Sequence, residues 1–570
     1  MTKRWFLFLV CSILGLVSLL CGVLMPVHLR SVEGVVLENA GRNTPSLISK
    51  GMDLVREKQV GAAQLFLAAA ENHKLPDSIK LGAALRGTVD QQPTLQLWGR
   101  VEPQFDAVFK GDAHRTSGGT EPITEILVRL ENREKALEFL GSTKRADIQE
   151  LLRCRTLTNT VIFPSSLSAS GQALDAAISV CGLLLQGGHL KPALANSIAT
   201  MAAEANHGAS PQRFEQVLLD IMSLGQRLNW GQLTVFAAQA GDIETLRLLA
   251  YQARQAGDRL PSLYSAVVLS GQPMEVVHYL MQFSQTGMRD LSNSLQFGSG
   301  GLVELLHCER QLARSGMNHL LAKFSPTRAF VQATVVMAWR NPSAALSVKF
   351  FFYLAAGFLL SFGLHFARPT VSVLEKPLQV RGFHVFREIL FALGFLLVVL
   401  LLSEPFLAQE SQRVEYPFRL RVPTVGHAVP VGTVSAHPSI MNQSLLTLLL
   451  FFVLQALIYT ACLVKLAEIR RQNVVARVKL KLLENEEHLF DAGLYLGFAG
   501  TVTSLILASL GIVSLGLMAA YSSTSFGIIF VSVFKIFNLR PVRRKLLMEA
   551  EEASNTQPEP RTSGQSAATP

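Results

Sequence analysis

Six stretches of the chain are apolar at nearly every position, which is the pattern of helices that cross a lipid bilayer. Each approaches the roughly 20 helical residues needed to span about 30 Å of hydrocarbon. Polar and charged segments separate them. The sequence therefore predicts six membrane spans, at residues 5–25, 350–366, 389–406, 445–466, 494–514 and 515–537.

A different pattern fills the long segment between the first two predicted spans. From about Thr44 to Phe330, apolar residues recur at spacings of three and four, broken by Gly, Pro, Asn and Asp. This periodicity is typical of amphipathic helices. The stretch "SLISKGMDLVREKQVGAAQLFLAAAENH", for example, predicts a helix pair with a tight turn. Residues 26–341 are therefore expected to form a large helical domain.

Part of this domain repeats. The sequence "LTVFAAQAGDIETLRLLAYQ" from Leu233 aligns with "LYSAVVLSGQPMEVVHYLMQ" from Leu263, an offset of 30 residues. Each copy predicts a short helix, a turn at Gly241 or Gly271, and a second helix. In a weaker third copy, "GSGG" at 298–301 predicts a linker between repeats. One helix pair cannot bury its own apolar face, so stacked copies predict an α-solenoid, which commonly binds peptides or proteins.

Composition and charge agree with a membrane protein. Of 570 residues, 49% are hydrophobic and 16% charged, and the mean hydropathy is +0.31. The net charge of +10 comes from Lys and Arg clustered beside the apolar stretches, as at Lys3, Arg4, Arg543 and Arg544. If Lys3 lies in the cytoplasm, alternation of the spans places these clusters there too, as the positive-inside rule requires. We therefore expect an inner-membrane protein with both termini cytoplasmic.

The predicted fold class is an all-α polytopic membrane protein with about six transmembrane helices and a large extracytoplasmic α-solenoid-like domain. An uncleaved anchor is favoured for the first span over a signal peptide, because its apolar run is long and no A-x-A site follows. The predicted domains are a cytoplasmic N-terminus (1–4), an anchor (5–25), a helical-repeat domain (26–341), a transmembrane hairpin (350–406), an extracytoplasmic loop (409–444), a three-span core (445–545) and a disordered cytoplasmic tail (549–570).

Little in the sequence indicates catalysis. The six cysteines are widely spaced, and the histidines are scattered outside any H-E-x-x-H pattern. The chain contains neither a G-x-x-x-x-G-K-[ST] phosphate loop nor a G-x-S-x-G nucleophile elbow. We therefore predict that the protein is not an enzyme, holds no metal or cofactor, and does not bind nucleic acid.

The last two spans carry more small residues than contact with lipid requires. The fifth has a stripe at spacings of four and three, and Gly500 lies close to it. The sixth has a similar stripe. Small residues at such spacings let helices approach closely, so these residues are predicted to pack helix against helix: Gly497, Gly500, Thr501, Ser504, Ala508 and Gly511 in the fifth span, and Gly516, Ala520, Ser523 and Gly527 in the sixth.

These two spans contain more hydroxyl side chains than the contact between two helices requires. Asp491 and Lys535 mark the cytoplasmic ends of the two helices. At about 1.5 Å per residue, Thr501 lies roughly 15 Å from the level of Asp491, and Thr524 roughly 16 Å from that of Lys535. Both threonines are thus predicted at the same depth near mid-membrane. Such a belt would suit a polar path or the docking of a charged helix.

Two short motifs place this region beside a known family. "LGFAGTV" (496–502) followed by "AAYSSTSFGIIF" (519–530) resembles the MotA/TolQ/ExbB proton-channel family, whose core helices carry L-G-x-x-G-T-V and A-L-x-x-T-x-x-G motifs. The order of spans over 445–545 is also similar. The chain departs from the family at Ala519, where the ExbB and TolQ branches often have glutamate, and in its shorter hairpin.

The resemblance implies a site and partners. Thr501 matches the threonine of the first motif, and Thr524 and Gly527 match the second. With Ser504 and Ser523 they would form a pore or an interface with the single transmembrane helix of a partner, whose aspartate carries the proton. Several copies of the chain would surround that helix as a homo-oligomer.

Two functions therefore compete. The first is a subunit of an ion-driven energiser complex that couples ion flow to an envelope protein docked on the helical-repeat domain. The second is a non-conducting, membrane-anchored scaffold or receptor whose solenoid binds a protein. Ala519 and the short hairpin favour the second.

Overall fold

The computed structural model describes residues 2–109, 121–164, 172–313, 325–367, 383–404, 443–509 and 517–555. These residues are helical almost throughout, and their strands are the short parallel pair Ser31–Glu33 and Gln311–Ala313. The prediction of an all-α protein is therefore confirmed. The chain divides into two compact units, which we call the polar unit (Ser31–Leu321 with Gln332–Arg340) and the apolar unit (Met1–Arg30, Ala322–Val331 and Asn341–Pro570).

The polar unit corresponds to the predicted helical-repeat domain. Ser46, Asn229 and Asp242 cap three of its helices, each accepting a hydrogen bond from a backbone N–H three residues further on. The described helices are Gly34–Gly41, Leu47–Arg56, Val60–Asn72, Ser78–Gln91, Thr94–Trp98, Pro103–Val108, Ile123–Val128, Leu130–Gly141, Ala146–Arg153, Gln172–Gln186, Pro192–Asn206, Gln212–Gly225, Trp230–Ala237, Ile243–Ala256, Leu260–Ser270, Pro273–Ser294, Gly298–Cys308 and Ser325–Arg340, of which residues 332–340 belong to this unit, with 3₁₀ turns at Cys154–Thr156, Gly257–Arg259 and Leu295–Phe297.

The 30-residue repeat has a structural counterpart. Helices Trp230–Ala237 and Ile243–Ala256 form the first copy, and Leu260–Ser270 and Pro273–Ser294 form the second, so corresponding helices begin 30 residues apart. The first helix of the second copy ends at Gly271, whose φ of 64° lies in the left-handed region that favours glycine. The predicted helix–turn–helix pairs are therefore present.

The glycine-rich stretch at 298–301 is not a linker, contrary to the sequence prediction. It forms the first turn of helix Gly298–Cys308. A Cβ atom on Gly301 would lie 2.8 Å from the carbonyl oxygen of Leu37, and one on Gly41 would lie 1.7 Å from that of Phe297. The missing side chains therefore let this helix pack closely against helix Gly34–Gly41.

The polar unit brings its first and last elements together. Helix Gly34–Gly41 packs against Gly298–Cys308, and strand Ser31–Glu33 pairs with Gln311–Ala313. In the two repeat copies, which lie between these elements in sequence, Tyr264 is fully buried and stacks on Phe236 with ring centroids 5.3 Å apart. Contacts thus join elements that are far apart in sequence as well as neighbouring repeats. A solenoid architecture for the whole unit stays a prediction.

The apolar unit contains the predicted spans. Among the described residues, four helices are long and apolar enough to cross a membrane: Arg4–Leu24, Pro342–Leu364, Phe451–Arg471 and Tyr521–Glu552. The other two predicted spans fall on helices Phe383–Ser403 and Ala492–Ser509, whose apolar segments are shorter. These helices are therefore compatible with a membrane protein. The full count of six spans stays a prediction.

The first helix, Thr2–Leu24, packs along helix Pro342–Ala367. A Cβ atom on Gly15 would lie 2.9 Å from Leu360, and one on Gly22 would lie 2.6 Å from the ring of Tyr353. A retained anchor at 5–25 stays a prediction.

The C-terminal part of the apolar unit is also helical. Its helices are Gln443–Arg471, Ala476–Asn485, Glu487–Phe490, Ala492–Ser509, Leu517–Val533 and Arg540–Asn555, with a π-helical turn at Phe534–Leu539. The last helix continues into the segment predicted to be disordered from residue 549. The rest of that tail, and the predicted loop up to residue 442, lie outside the described residues.

Candidate functional site

The candidate site lies in three helices of the apolar unit, Gln443–Arg471, Ala492–Ser509 and Leu517–Val533, which pack against one another. Aromatic side chains join the first helix to the third. The ring centroids of Phe452 and Phe530 lie 5.4 Å apart in an edge-to-face arrangement. Such an arrangement stabilises a pair of aromatic rings by more than the burial of their apolar area alone.

One end of this three-helix core is fixed by an ion pair and an apolar cluster. Lys535 Nζ lies 2.7 Å from Asp491 Oδ1. Beside this pair, Cys462, Phe490 and Phe534 belong to one buried cluster. The contacts place the end of the first helix, the start of the second and the end of the third at the same level, as alternating spans require.

Small residues form the contact between the second and third helices. Gly493, Gly497 and Thr501 are buried on one side of the second helix, and Ser523 and Gly527 are buried on the third. A Cβ atom on Gly497 would lie 2.8 Å from the carbonyl oxygen of Ser523. The helices are therefore too close for a larger residue at position 497.

Three hydroxyl groups converge where these helices are closest. Thr501 Oγ1 and Thr524 Oγ1 lie 2.5 Å apart. The carbonyl oxygen of Gly497 lies within hydrogen-bond distance of all three hydroxyl groups, 3.1 Å from those of Thr501 and Ser523 and 3.3 Å from that of Thr524. We call Gly497, Thr501, Ser523 and Thr524 the hydroxyl cluster. Thr501 is only 8% exposed, whereas Thr524 is half-buried, so the cluster reaches the surface of the apolar unit at Thr524.

For the other predicted site residues, the structure describes contacts at Gly500 and Gly527 only. Gly500 is adjacent to the cluster, because a Cβ atom there would lie 2.6 Å from Ser523 Oγ, and Gly527 packs against the carbonyl oxygen of Gly493. Ser504, Ala508 and Ala520 lie within the two helices, but their side chains are outside the described part of the structure, as are Gly511 and Gly516 altogether.

Gln455 is a further buried polar residue beside the helix pair. It was not predicted as a site residue from the sequence. Its side chain is 2% exposed, and its Nε2 donates to the carbonyl oxygen of Gly493 at 2.9 Å. Its Oε1 has no hydrogen-bond partner among the described residues. A single Gln inside the apolar stretch 445–466 was the available signal, since buried amides normally have partners.

A buried ion pair elsewhere in the apolar unit was missed as well. Lys349 Nζ lies 2.8 Å from Glu404 Oε1, and the two side chains are 1% and 0% exposed. Lys349 also donates to the carbonyl oxygen of Val27 at 2.6 Å, and Glu404 Oε2 accepts from the backbone N–H of Leu29 at 2.7 Å. An ionisable residue within an apolar helix was the signal, because such residues need a partner in the membrane.

Comparisons with protein-family models, with curated proteins and with solved structures gave no match to this chain. Functional assignment therefore rests on the residues and their geometry.

Proposed function

We propose that this chain is an inner-membrane subunit of an ion-driven energiser complex that resembles the MotA/TolQ/ExbB family. The observation that supports this most is the contact between Thr501 and Thr524, 2.5 Å apart across the helix pair. These are the two threonines that match the family's motifs.

Within this proposal, the hydroxyl cluster guides a partner's charged helix. Helices Ala492–Ser509 and Leu517–Val533 contain no Asp, Glu, Lys, Arg or His. These two helices therefore supply no ion carrier, and in this proposal the carrier comes from another chain. A carboxylate on a single-span partner would exchange hydrogen bonds with Thr524, which is half-buried at the edge of the cluster. Hydroxyl groups both donate and accept, so they can solvate either protonation state of that carboxylate.

The partner and the assembly complete the proposal. Several copies of the chain would surround the partner's helix, and the polar unit, lying outside the membrane, would dock an envelope protein. Ion flow past the hydroxyl cluster would then move the partner relative to the docked protein.

The test is ion flux in proteoliposomes that contain the protein with its co-purifying single-span partner. Changing both Thr501→Val and Thr524→Val should remove flux, because valine keeps the shape of threonine without its hydroxyl. Changing both to Ser should keep flux. The matched control is Ser525→Ala, which removes an exposed hydroxyl from the same helix. Full flux in the double Val variant would contradict the proposal.

A second function is favoured by one observation. The cluster hydroxyls already bond to the carbonyl oxygen of Gly497, as they would in a seam that only packs two helices. A membrane-anchored, non-conducting scaffold needs nothing more. In that case deletion of the polar unit removes all function, whereas the double Val variant remains fully active.

A further inference from the structure

A cleft in the polar unit is lined by residues from both copies of the repeat and from other helices and loops of the unit. Its walls include Thr234 and Ala238 at the first helix of copy one, Val268 in the first helix of copy two, and Lys50 in helix Leu47–Arg56. Its volume is about 550 Å³, within the usual range of ligand pockets.

The lining of this cleft is charged. In the described structure, Lys50, Arg100 and Lys191 line it together with one acid, Glu57. A second acid, Glu102, contacts Arg100. With the ring of His189, which also lines the cleft, left out of the count, three cations against two carboxylates leave one positive charge. One carboxylate of a ligand would balance it.

Arg100 is held in place by two neighbours. Its Nε lies 3.0 Å from Glu102 Oε1, and its Nη1 donates to Thr234 Oγ1 at 2.9 Å. A guanidinium group has five N–H donors. The bond to Thr234 uses one of them, and the Nε contact with Glu102 is an ion pair without hydrogen-bond geometry. The remaining donors belong to a group whose position is already fixed, so binding a carboxylate would cost little further ordering.

Glu102 is held in turn by His189. Glu102 Oε1 and His189 Nε2 lie 2.9 Å apart. Burial alone would raise the pKa of Glu102, but contact with His189 and the charge of Arg100 outweigh burial and lower it. The carboxylate that positions Arg100 is therefore ionised at neutral pH.

Lys50 adds a cation at the side of the cleft. It is half-buried, and in the described part of the chain no hydrogen bond or ion pair joins its Nζ to another residue. A half-buried cation gains more from a carboxylate than an exposed one, because it is less screened by water.

We propose that this cleft binds an acidic side chain in a peptide segment of an extracytoplasmic partner. Arg100 and Lys50 would contact the ligand carboxylate, and Lys191 would add attraction from the rim. The inference names the surface by which the proposed envelope partner docks, so it rests on that part of the proposed function and not on ion flow.

The test is fluorescence anisotropy of a labelled peptide, Ser-Gly-Glu-Glu-Gly-Ser with both ends blocked, against the full-length protein in detergent. The same peptide with Gln in place of Glu is the ligand control. We expect the Glu peptide to bind at least ~10-fold more tightly, since a charge-assisted hydrogen bond exceeds a neutral one by about the energy of a tenfold change.

Protein variants identify the site. Lys50→Gln removes a cation with no buried partner and should weaken binding of the Glu peptide roughly 5- to 10-fold. Arg100→Lys keeps a charge beside Glu102 but loses the planar donor pair, so it should weaken binding at least as much. The matched control is Lys144→Gln, an exposed lysine of the same unit outside the cleft, which should leave binding unchanged.

Three results would overturn the inference. These are equal binding of the two peptides, unchanged binding in both the Lys50 and Arg100 variants, or displacement of the Glu peptide by an equal concentration of inorganic phosphate, which would indicate a site for small anions. None of these measurements involves ion flux. A failure here is therefore distinct from a failure of the double Val test in the membrane.

Discussion

The hydroxyl oxygens of Thr501 and Thr524 lie 2.5 Å apart, and the two residues stand ten and eleven positions from the ion pair between Asp491 and Lys535. Two contacts, one at an end and one near the middle, therefore fix the register of this helix pair. A shift of one residue along either helix, about 1.5 Å, would disrupt both contacts.

Substitution of Gly497 by Ala is expected to destabilise the helix pair. The added Cβ would lie 2.8 Å from the carbonyl oxygen of Ser523, and backbone cannot move aside as a side chain can. Overpacking of this kind typically costs about 1–3 kcal/mol. Thermal unfolding in detergent measures the effect. Ala499→Val adds volume on the exposed side of the same helix and should leave the unfolding temperature unchanged; equal shifts in both variants would contradict the close contact.

Because Lys349 and Glu404 form a buried ion pair, we expect the effects of substituting them on the free energy of unfolding to be non-additive. Lys349→Met or Glu404→Gln alone breaks the buried ion pair, at a cost of about 3–5 kcal/mol. His28 Nδ1, 3.1 Å from Lys349 Nζ and 3.3 Å from Glu404 Oε1, remains in both variants. The double variant should be more stable than the sum of the single effects implies. Unfolding of all four proteins in the same detergent gives the coupling free energy. A coupling near zero would mean that the two groups do not interact.

Glu102 and Asp220 predict opposite effects of acid on the polar unit. The pKa of Glu102 is lowered, so its contribution to stability is present above the ordinary value of 4.5 and is lost as the pH falls below it. Burial raises the pKa of Asp220, because its contact with Arg254 does not fully compensate. Asp220 therefore favours the folded state more as the pH falls.

The corresponding variants separate these two contributions. Glu102→Gln should lose less stability than the unmodified protein on acidification from neutral pH, and Asp220→Asn should lose more. Fluorescence of Trp230, whose ring lies 5.6 Å from that of His189, reports unfolding near Glu102. Identical pH profiles for the two variants would contradict the assignment.

Labelling of single cysteines would distinguish six spans from four. With six, Ser142→Cys in the polar unit and Ser411→Cys in the predicted loop 409–444 both react with an impermeant maleimide applied outside the membrane. Glu551→Cys reacts only after permeabilisation, because an even number of spans returns the chain to the side where it began. Protection of Ser411→Cys from outside reagent would instead indicate that helix Phe383–Ser403 does not cross. Native cysteines are replaced first.

The parts of the structure predicted well are those set by local sequence. Helix positions in the repeat follow from the spacing of apolar residues, and the levels of Thr501 and Thr524 follow from counting along two helices. By contrast, Lys349 and Glu404 are 55 residues apart, and Gln455 and Gly493 are 38 apart. Nothing in the local pattern indicates which distant partner a buried polar residue will meet.

The glycines at 298–301 show a second limit. Glycine-rich stretches usually indicate turns, but here the absence of side chains serves contact between two helices. The same residue type satisfies either need. Only the position of helix Gly34–Gly41, remote in sequence, decides between them.

The pairing of Ser31–Glu33 with Gln311–Ala313 has an evolutionary consequence. Neighbouring strands lie about 4.8 Å apart, so the segment between these two strands, residues 34–310, begins and ends at nearly one point. A segment closed in this way can be exchanged for another of similar end-to-end distance without separating the two strands. Recombination at the two strands would therefore replace residues 34–310 and leave the helices that carry Thr501 and Thr524 unchanged.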